Sequence, residues 1–225
     1  MSASAEKRLS SAQRAVQQLR EMIFAGELAA GSNHLESELA MALNMSRTPV
    51  REAVLTLEGQ GLLELRPRKG VRITPLNAKD MAEIYDILTA LERLAAAAAA
   101  RHKYTDADLS DLSQAIDDMD RALDAPDLQA WARADDRFHA ALVTLGGNER
   151  IEAIVNMMSD QVRRARASTL LLRPLPTKSN EDHREVYLAI RNGDPDTARA
   201  SHRAHRQHAK EVLVGILEKH SLLFL

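Results

Sequence analysis

Cysteine is absent from this 225-residue chain. That excludes disulfides, thiolate nucleophiles and zinc–thiolate centres. Aromatic residues are only 3% and there are nine glycines; no glycine-rich phosphate loop and no Ser/His/Asp arrangement stands out. No apolar run approaches the roughly 20 residues needed to span a bilayer. The opening MSASAEKRLS lacks the apolar core of a signal peptide. A cytoplasmic protein without membrane contact is therefore expected. Neither charge sign dominates: the net charge is −2, so the whole chain is not a basic polyanion binder. The balance is uneven, however. Of 30 Lys and Arg against 32 Asp and Glu, the first 76 residues hold ten against eight, leaving twenty against twenty-four. A mildly basic front joined to an acidic body fits a nucleic-acid module plus a second domain.

What is present favours helix. Hydrophobic residues are 45% and charged residues 28%, ordinary for a globular protein, with many Ala, Leu, Arg and Glu. Residues 1–9 are polar and expected to be flexible. Apolar spacing predicts helices from about Ser10 to Ala25, with Val16, Leu19, Ile23 and Phe24 as the apolar side, and from Glu36 to Leu43. Asn44-Met45 reads as a turn. A third helix opens at Ser46 and ends near Gln60-Gly61, where glycine suits the position after the cap. Leu62 to Leu65 and Val71 to Thr74 read as short strands around the basic tip Arg66-Pro67-Arg68-Lys69-Gly70. Helix, helix, turn, helix and basic hairpin is the order of a winged helix-turn-helix over 10–75. Pro75 to Asn77 mark a boundary. Beyond it lies no strand signal, only helices at about 78–102, 106–124, 127–145, 148–172, 179–192 and 194–220. Their breaks include Ala125-Pro126 and Gly146-Gly147-Asn148, and short connections imply antiparallel neighbours. The expected fold is thus mainly α: a winged helix followed by an all-α antiparallel bundle over 78–220. The Ala95–Ala100 run is read as a place where neighbouring helices approach closely.

Within the third helix, Ser46-Arg47-Thr48-Pro49-Val50-Arg51-Glu52-Ala53 is the most informative stretch. Ser46 is a good N-cap, its hydroxyl able to accept from a first-turn N–H. Pro49 falls near the third helical position, where its missing N–H costs no helical hydrogen bond. Arg47 and Arg51, four apart, share a face, while Val50, Val54 and Leu57 lie on one that can be buried. Arginines beside the positive end of a helix suit phosphates and guanine edges.

The front 75 residues resemble the winged-helix domain of the GntR superfamily of bacterial transcription regulators. The match runs through Leu35 to Ala40, Asn44 to Ala53, Leu57, Gly61-Leu62 and Arg66 to Gly70. The helical remainder resembles the effector domain of the FadR-like branch, of the metal-binding FCD type. The resemblance implies that Arg47, Thr48 and Arg51 contact double-stranded operator DNA in the major groove, and that Gly70 approaches the minor groove or backbone. Arg66 and Lys69 are candidate phosphate contacts. Many members carry a basic residue on the second helix where this chain has Ser37.

In the bundle, ionisable residues sit on apolar stripes. Asp135 and His139 share one with Trp131, Phe138 and Leu142. His183 precedes Val186, Tyr187 and Ile190. His202 and His205 lead into Ala209, Val212 and Ile216. Burying these groups unpaired is expensive, and a shared cation lowers the cost. Imidazoles plus one carboxylate suit Zn, Ni, Mn or Fe(II). The family pattern implies Asp135, His139, His183 and His205 as ligands. It leaves His202, where relatives are usually apolar, as a neighbour of the site and His208 as solvated. Family members often hold an acidic effector with an arginine where this chain has Leu88; Arg93, Arg163, Arg164 or Arg166, or the metal alone, would have to replace it.

The expectation is a ligand-responsive DNA-binding regulator, most simply a repressor. It would bind a palindromic operator as a homodimer and answer to a small organic acid. The alternative is a metal-dependent hydrolase or lyase in which the Asp/His site activates water. Against it, all four candidates are used as ligands and no general base stands beside them in sequence.

Overall fold

A computed structural model describes residues 9–125 and 127–220. The expected flexible segment 1–9, apart from Leu9, lies outside these residues, as does the break at Pro126. The described residues up to Pro75 and from Leu76 to His220 form two compact units.

The first unit opens with α1 (Ser11–Phe24). Ser10 caps it reciprocally: its hydroxyl accepts from the Gln13 N–H, and its own N–H donates to the Gln13 side chain at 2.8 Å. Leu19 and Ile23 are buried with Ala15, whereas Val16 and Phe24 are half-buried against the same core. Then come β1 (Asn33–His34), α2 (Glu36–Ala42), α3 (Arg47–Gly59), β2 (Leu63–Arg66) and β3 (Gly70–Ile73). Val50, Ala53, Val54 and Leu57 bury the inner face of α3. Ser46 is the N-cap with extended backbone, but its hydroxyl makes no capping bond, contrary to expectation. The reason lies in the sequence. Pro49 occupies the third helical position, so one of the two N–H groups such a cap normally serves does not exist. The other end follows the expected pattern. Gly61 adopts φ +70, with the Leu62 N–H on the Leu57 carbonyl and the Gly61 N–H on Glu58.

The sheet runs β1-β3-β2, antiparallel throughout. Arg66 pairs with Gly70 at the hairpin end, and β1 pairs Asn33 with Arg72 and His34 with Val71. β1 was not expected, because two residues carry no alternation to read. Its presence explains Gly70: a Cβ there would lie 2.3 Å from the His34 carbonyl oxygen, and its φ is +83.

The second unit is helical throughout its described residues: α4 (Ala78–Arg101), α5 (Ser110–Asp124), α6 (Leu128–Leu145), α7 (Glu149–Thr169), α8 (Thr177–Arg191) and α9 (Pro195–Lys219). Asn77, Asp127, Asn148 and Asp194 each accept from first-turn N–H groups, and Pro195 takes the first position of α9. α7 stops at Thr169 and tightens into a 3₁₀ turn at Leu170–Leu172, a few residues earlier than expected. Pro174 and Pro176 then bar further helix.

The alanine run serves the packing. Ala95, Ala96, Ala97, Ala99 and Ala100 are all buried, and α4 packs most extensively against α9. The end of α6 closes on α4 so tightly that a Cβ at Gly146 would lie 2.7 Å from Ala95 Cβ and 2.8 Å from its Cα. Backbone cannot swing aside. Gly146→Ala should therefore destabilise the bundle by about 1–3 kcal/mol, read as a lower melting temperature. Gly59→Ala, inside α3 with nothing near its Cβ, should be neutral or stabilising; an unchanged melt in Gly146→Ala would refute the close contact. Trp131 Nε1 donates to Asn180 Oδ1 at 2.7 Å, and Asn180 Nδ2 donates to Asp120 Oδ1 at 2.8 Å. That chain ties α6 to α8 and α5.

Candidate metal centre and nucleic-acid face

α6 carries Asp135 and His139 one turn apart, α8 carries His183 and α9 carries His205. All four are buried, and a ligand atom from each lies within 4.8 Å of the others. His183 Nε2 is 3.5 Å from Asp135 Oδ1, His139 Nε2 is 3.7 Å from Asp135 Oδ2, and the Nε2 atoms of His139 and His205 are 3.4 Å apart. Ligands about 2.0–2.2 Å from one cation stand roughly 3.0–3.5 Å from each other, so these separations are close to what a metal requires. His183 gives the sharper test. It is fully buried, and neither ring nitrogen has a hydrogen-bond partner. A neutral imidazole so placed leaves a lone pair and an N–H unsatisfied, and a cation on one nitrogen would answer the first. The donor set fits a divalent transition metal.

Burial decides the protonation states. It pushes His139 down to about 4, against the pull of Glu92, and His205 down to about 3, against the pull of Asp182. It also holds His183 well below its ordinary value. Neutral imidazoles are the form that ligates metal.

Two clefts flank this layer. One, about 690 Å³, reaches Asp135, His139 and His205 and has an apolar wall that includes Leu128, Trp131 and Val212. The other, about 520 Å³, is lined by Leu88, Asn156, Ser159 and Arg163. Arg166 and Arg206 line both. Arg166 pairs with Asp135 and, at 3.2 Å, with Asp136. Burial lowers its pKa to about 10, so it stays charged. Arg163 Nε binds Asp136 at 2.8 Å. Of the other arginines considered for an effector, Arg164 is buried and Arg93 half-buried, and neither lines either cleft. His208 is exposed, as expected.

Sequence reasoning missed Glu92. It is 2% exposed, and its Oε2 lies 3.1 Å from His139 Nδ1 and 2.9 Å from His202 Nε2. Its Oε1 is 3.2 Å from Arg206 Nη2. Burial pushes the Glu92 carboxyl up, but Arg206, His139 and His202 together outweigh it and hold it well below the usual range. On the α9 stripe, His202 and His205 face inward as expected, but farther along Leu213 and Leu217 take the buried positions and Val212 and Ile216 are half-buried.

In the first unit, a groove between α3 and the hairpin is lined by Ser37, Arg47, Arg51, Arg66, Arg68 and Gly70, among others. Arg47, Thr48, Arg51 and Lys69 are exposed. Arg66 is partly occupied, its guanidinium 2.7 Å from Glu64.

Comparison with known proteins gives this geometry its context. Residues 11–73 match the model for bacterial regulatory proteins of the gntR family, and residues 83–208, more than half of the chain, match the FCD domain. The chain belongs to the GntR family, in its FadR-like, FCD-containing branch. An HTH-type transcriptional regulator of Bacillus subtilis, YdhC, is 29% identical over 203 residues, 90% of each chain. A relative from Paenarthrobacter nicotinovorans, named "Probable D-xylose utilization operon transcriptional repressor", is 32% identical over 78% of this chain and 76% of its own. A GntR regulator of Rhodococcus sp. RHA1, solved by crystallography, shares the fold at a TM-score of 0.75 and 24% identity, over 92% of this chain and 99% of that one. As a GntR protein the chain is a transcription regulator, not an enzyme, so the hydrolase or lyase alternative falls. No helix among the described residues is long and apolar enough to cross a membrane.

Proposed function

We propose that this regulator is a metal-dependent sensor of a small carboxylate that controls one palindromic operator as a homodimer. The observation that carries the reading is the convergence of Asp135, His139, His183 and His205 from three helices on one buried point. These four residues would hold the cation, which would supply a fixed positive charge and open coordination positions for an acid. Arg166 and Arg206 border that point from both clefts, and Arg163 adds a cation to one of them; they stand in for the arginine that Leu88 displaces. A carboxylate bound there would compete with Asp135 and Asp136 for Arg166, which gives a ligand a direct means of rearranging α6 against α7.

At the other unit, the N-terminal turns of α3 would enter the major groove. Arg47, Thr48 and Arg51 read bases or phosphates there, and Arg66, Lys69 and Gly70 form the wing contact. The groove lined by Arg47, Arg51, Arg66 and Arg68 supports this. For the homodimer, α4 and α7 pack together and leave Ile87, Leu94, Ile154 and Met157 in solvent. Repression is favoured because relatives carry repressor names, and action on DNA sets the protein in the cytoplasm. Whatever factor the effector applies to operator affinity, the operator must apply to effector affinity.

Thermal melts of the full chain test the sensor reading, with Zn, Ni or Mn alone and then with a panel of metabolite carboxylates. A ligand at a hundred times its Kd should add about 2.7 kcal/mol of stability. Carboxylates that stabilise only with metal present would support the reading; no stabilisation by any metal would overturn it.

A further inference from the structure

Two constellations in the bundle have metal-like composition, and they share His139. One is Asp135, His139, His183 and His205; the other is Glu92, His139 and His202. Each carboxylate faces an arginine, Asp135 paired with Arg166 and Glu92 with Arg206, so the two differ in spacing: 3.4–3.7 Å between neighbouring ligand atoms in the first, hydrogen-bond distances in the second. Glu92 is already opposed by a permanent cation: Arg206 Nη2 lies 3.2 Å from Oε1, and the Arg206 guanidinium is stacked 4.8 Å over the Tyr85 ring. The contacts of Oε2 are hydrogen-bond distances to two ring nitrogens, 3.1 and 2.9 Å. A carboxylate held ionised by Arg206 accepts only, so each imidazole must present an N–H to it. His139 then carries its proton on Nδ1, and its Nε2 lone pair faces Asp135 and His205. His202 carries its proton on Nε2, leaving Nδ1 as a buried acceptor without a partner.

We infer that Glu92 is not a ligand of a second metal but the positioning residue of the single centre, fixing His139 in the Nδ1–H tautomer so that Nε2 points at the cation. Arg206 keeps Glu92 charged for that purpose. His202 is a second donor on the same oxygen, which fixes the carboxylate from the α9 side. This inference rests on the metal reading above. A histidine that ligates through one nitrogen while donating the other N–H to a carboxylate is oriented and made more basic, and losing such a partner typically weakens metal binding about 10–100-fold.

The test uses the full chain in two measurements. Long-range ¹H–¹⁵N spectra of the metal-free protein report the His139 tautomer directly. Titration with Zn or Ni gives affinity and stoichiometry. The expected wild type shows Nδ1–H at His139 and binds one equivalent per chain. Glu92→Gln should bind about 10–100-fold more weakly and lose the single tautomer, while Glu92→Asp recovers part of both. His202→Leu should keep one equivalent and the Nδ1–H tautomer, which separates positioning from a second site and is also the safer variant if Glu92→Gln fails to fold. Two equivalents in the wild type, reduced to one in His202→Leu, would overturn the inference. So would a wild-type His139 protonated on Nε2, or unchanged affinity in Glu92→Gln, and in those cases the metal reading itself would stand. A wild type that binds no metal would bring down both.

Discussion

His183→Ala should bind metal at least about 100-fold more weakly than the wild type, beyond the range of an outer-shell change. At a free metal concentration a hundred times the wild-type Kd, binding adds about 2.7 kcal/mol to stability; a hundredfold loss leaves about 0.4 kcal/mol. The variant should therefore melt nearly as low with metal as without it. A merely structural histidine predicts a different pattern. His183 is fully buried against Phe138, ring centroids 4.3 Å apart, so its removal opens a cavity and lowers stability in either case. Only a ligand also abolishes the difference between metal-loaded and metal-free melts. Elemental analysis showing equal metal in variant and wild type would remove His183 from the centre.

On the DNA side, Arg47→Ala and Arg51→Ala should each weaken binding to an operator obtained by selection from random duplexes. If the side chain reads a guanine edge, the loss is about 1–3 kcal/mol, roughly 5- to 150-fold, with relaxed preference at one position. If it holds a phosphate, all sequences weaken together and the salt dependence flattens by about 0.9 in slope. The two outcomes assign the roles separately. Arg203→Ala, an exposed arginine of the helical unit, is the control and should change neither affinity nor slope. Wild-type affinity in both Arg47→Ala and Arg51→Ala would exclude α3 as the recognition helix.

Much of this molecule was legible in its sequence because the signals were local. Helix spacing, the breaks at Pro75 to Asn77 and Gly146-Gly147-Asn148, and the basic hairpin tip are all read within a few residues. Asp135, His139, His183, His202 and His205 stood out because polar residues on apolar stripes are unusual. What escaped depended on partners distant in sequence. Strand β1 is two residues long and exists only by pairing with β3. Arg206 reads as an ordinary surface cation until Glu92 is opposite it. Glu92 had a usable sign: Met81, Tyr85, Leu88 and Ala95 define the buried stripe of α4, and Glu92, four residues beyond Leu88, falls on it. A glutamate in that register signals a buried partner as clearly as a histidine does.

The alanine run after Glu92 bears on how a displacement at the site would spread. Alanine has no rotamers to exchange. Where Ala95, Ala96, Ala99 and Ala100 meet neighbouring helices, no side chain can flip to take up a shift, and a close-packed interface resists compression. A push on Glu92 from His139 or Arg206 would therefore move the second half of α4 as a stiff rod, without dissipating in local repacking.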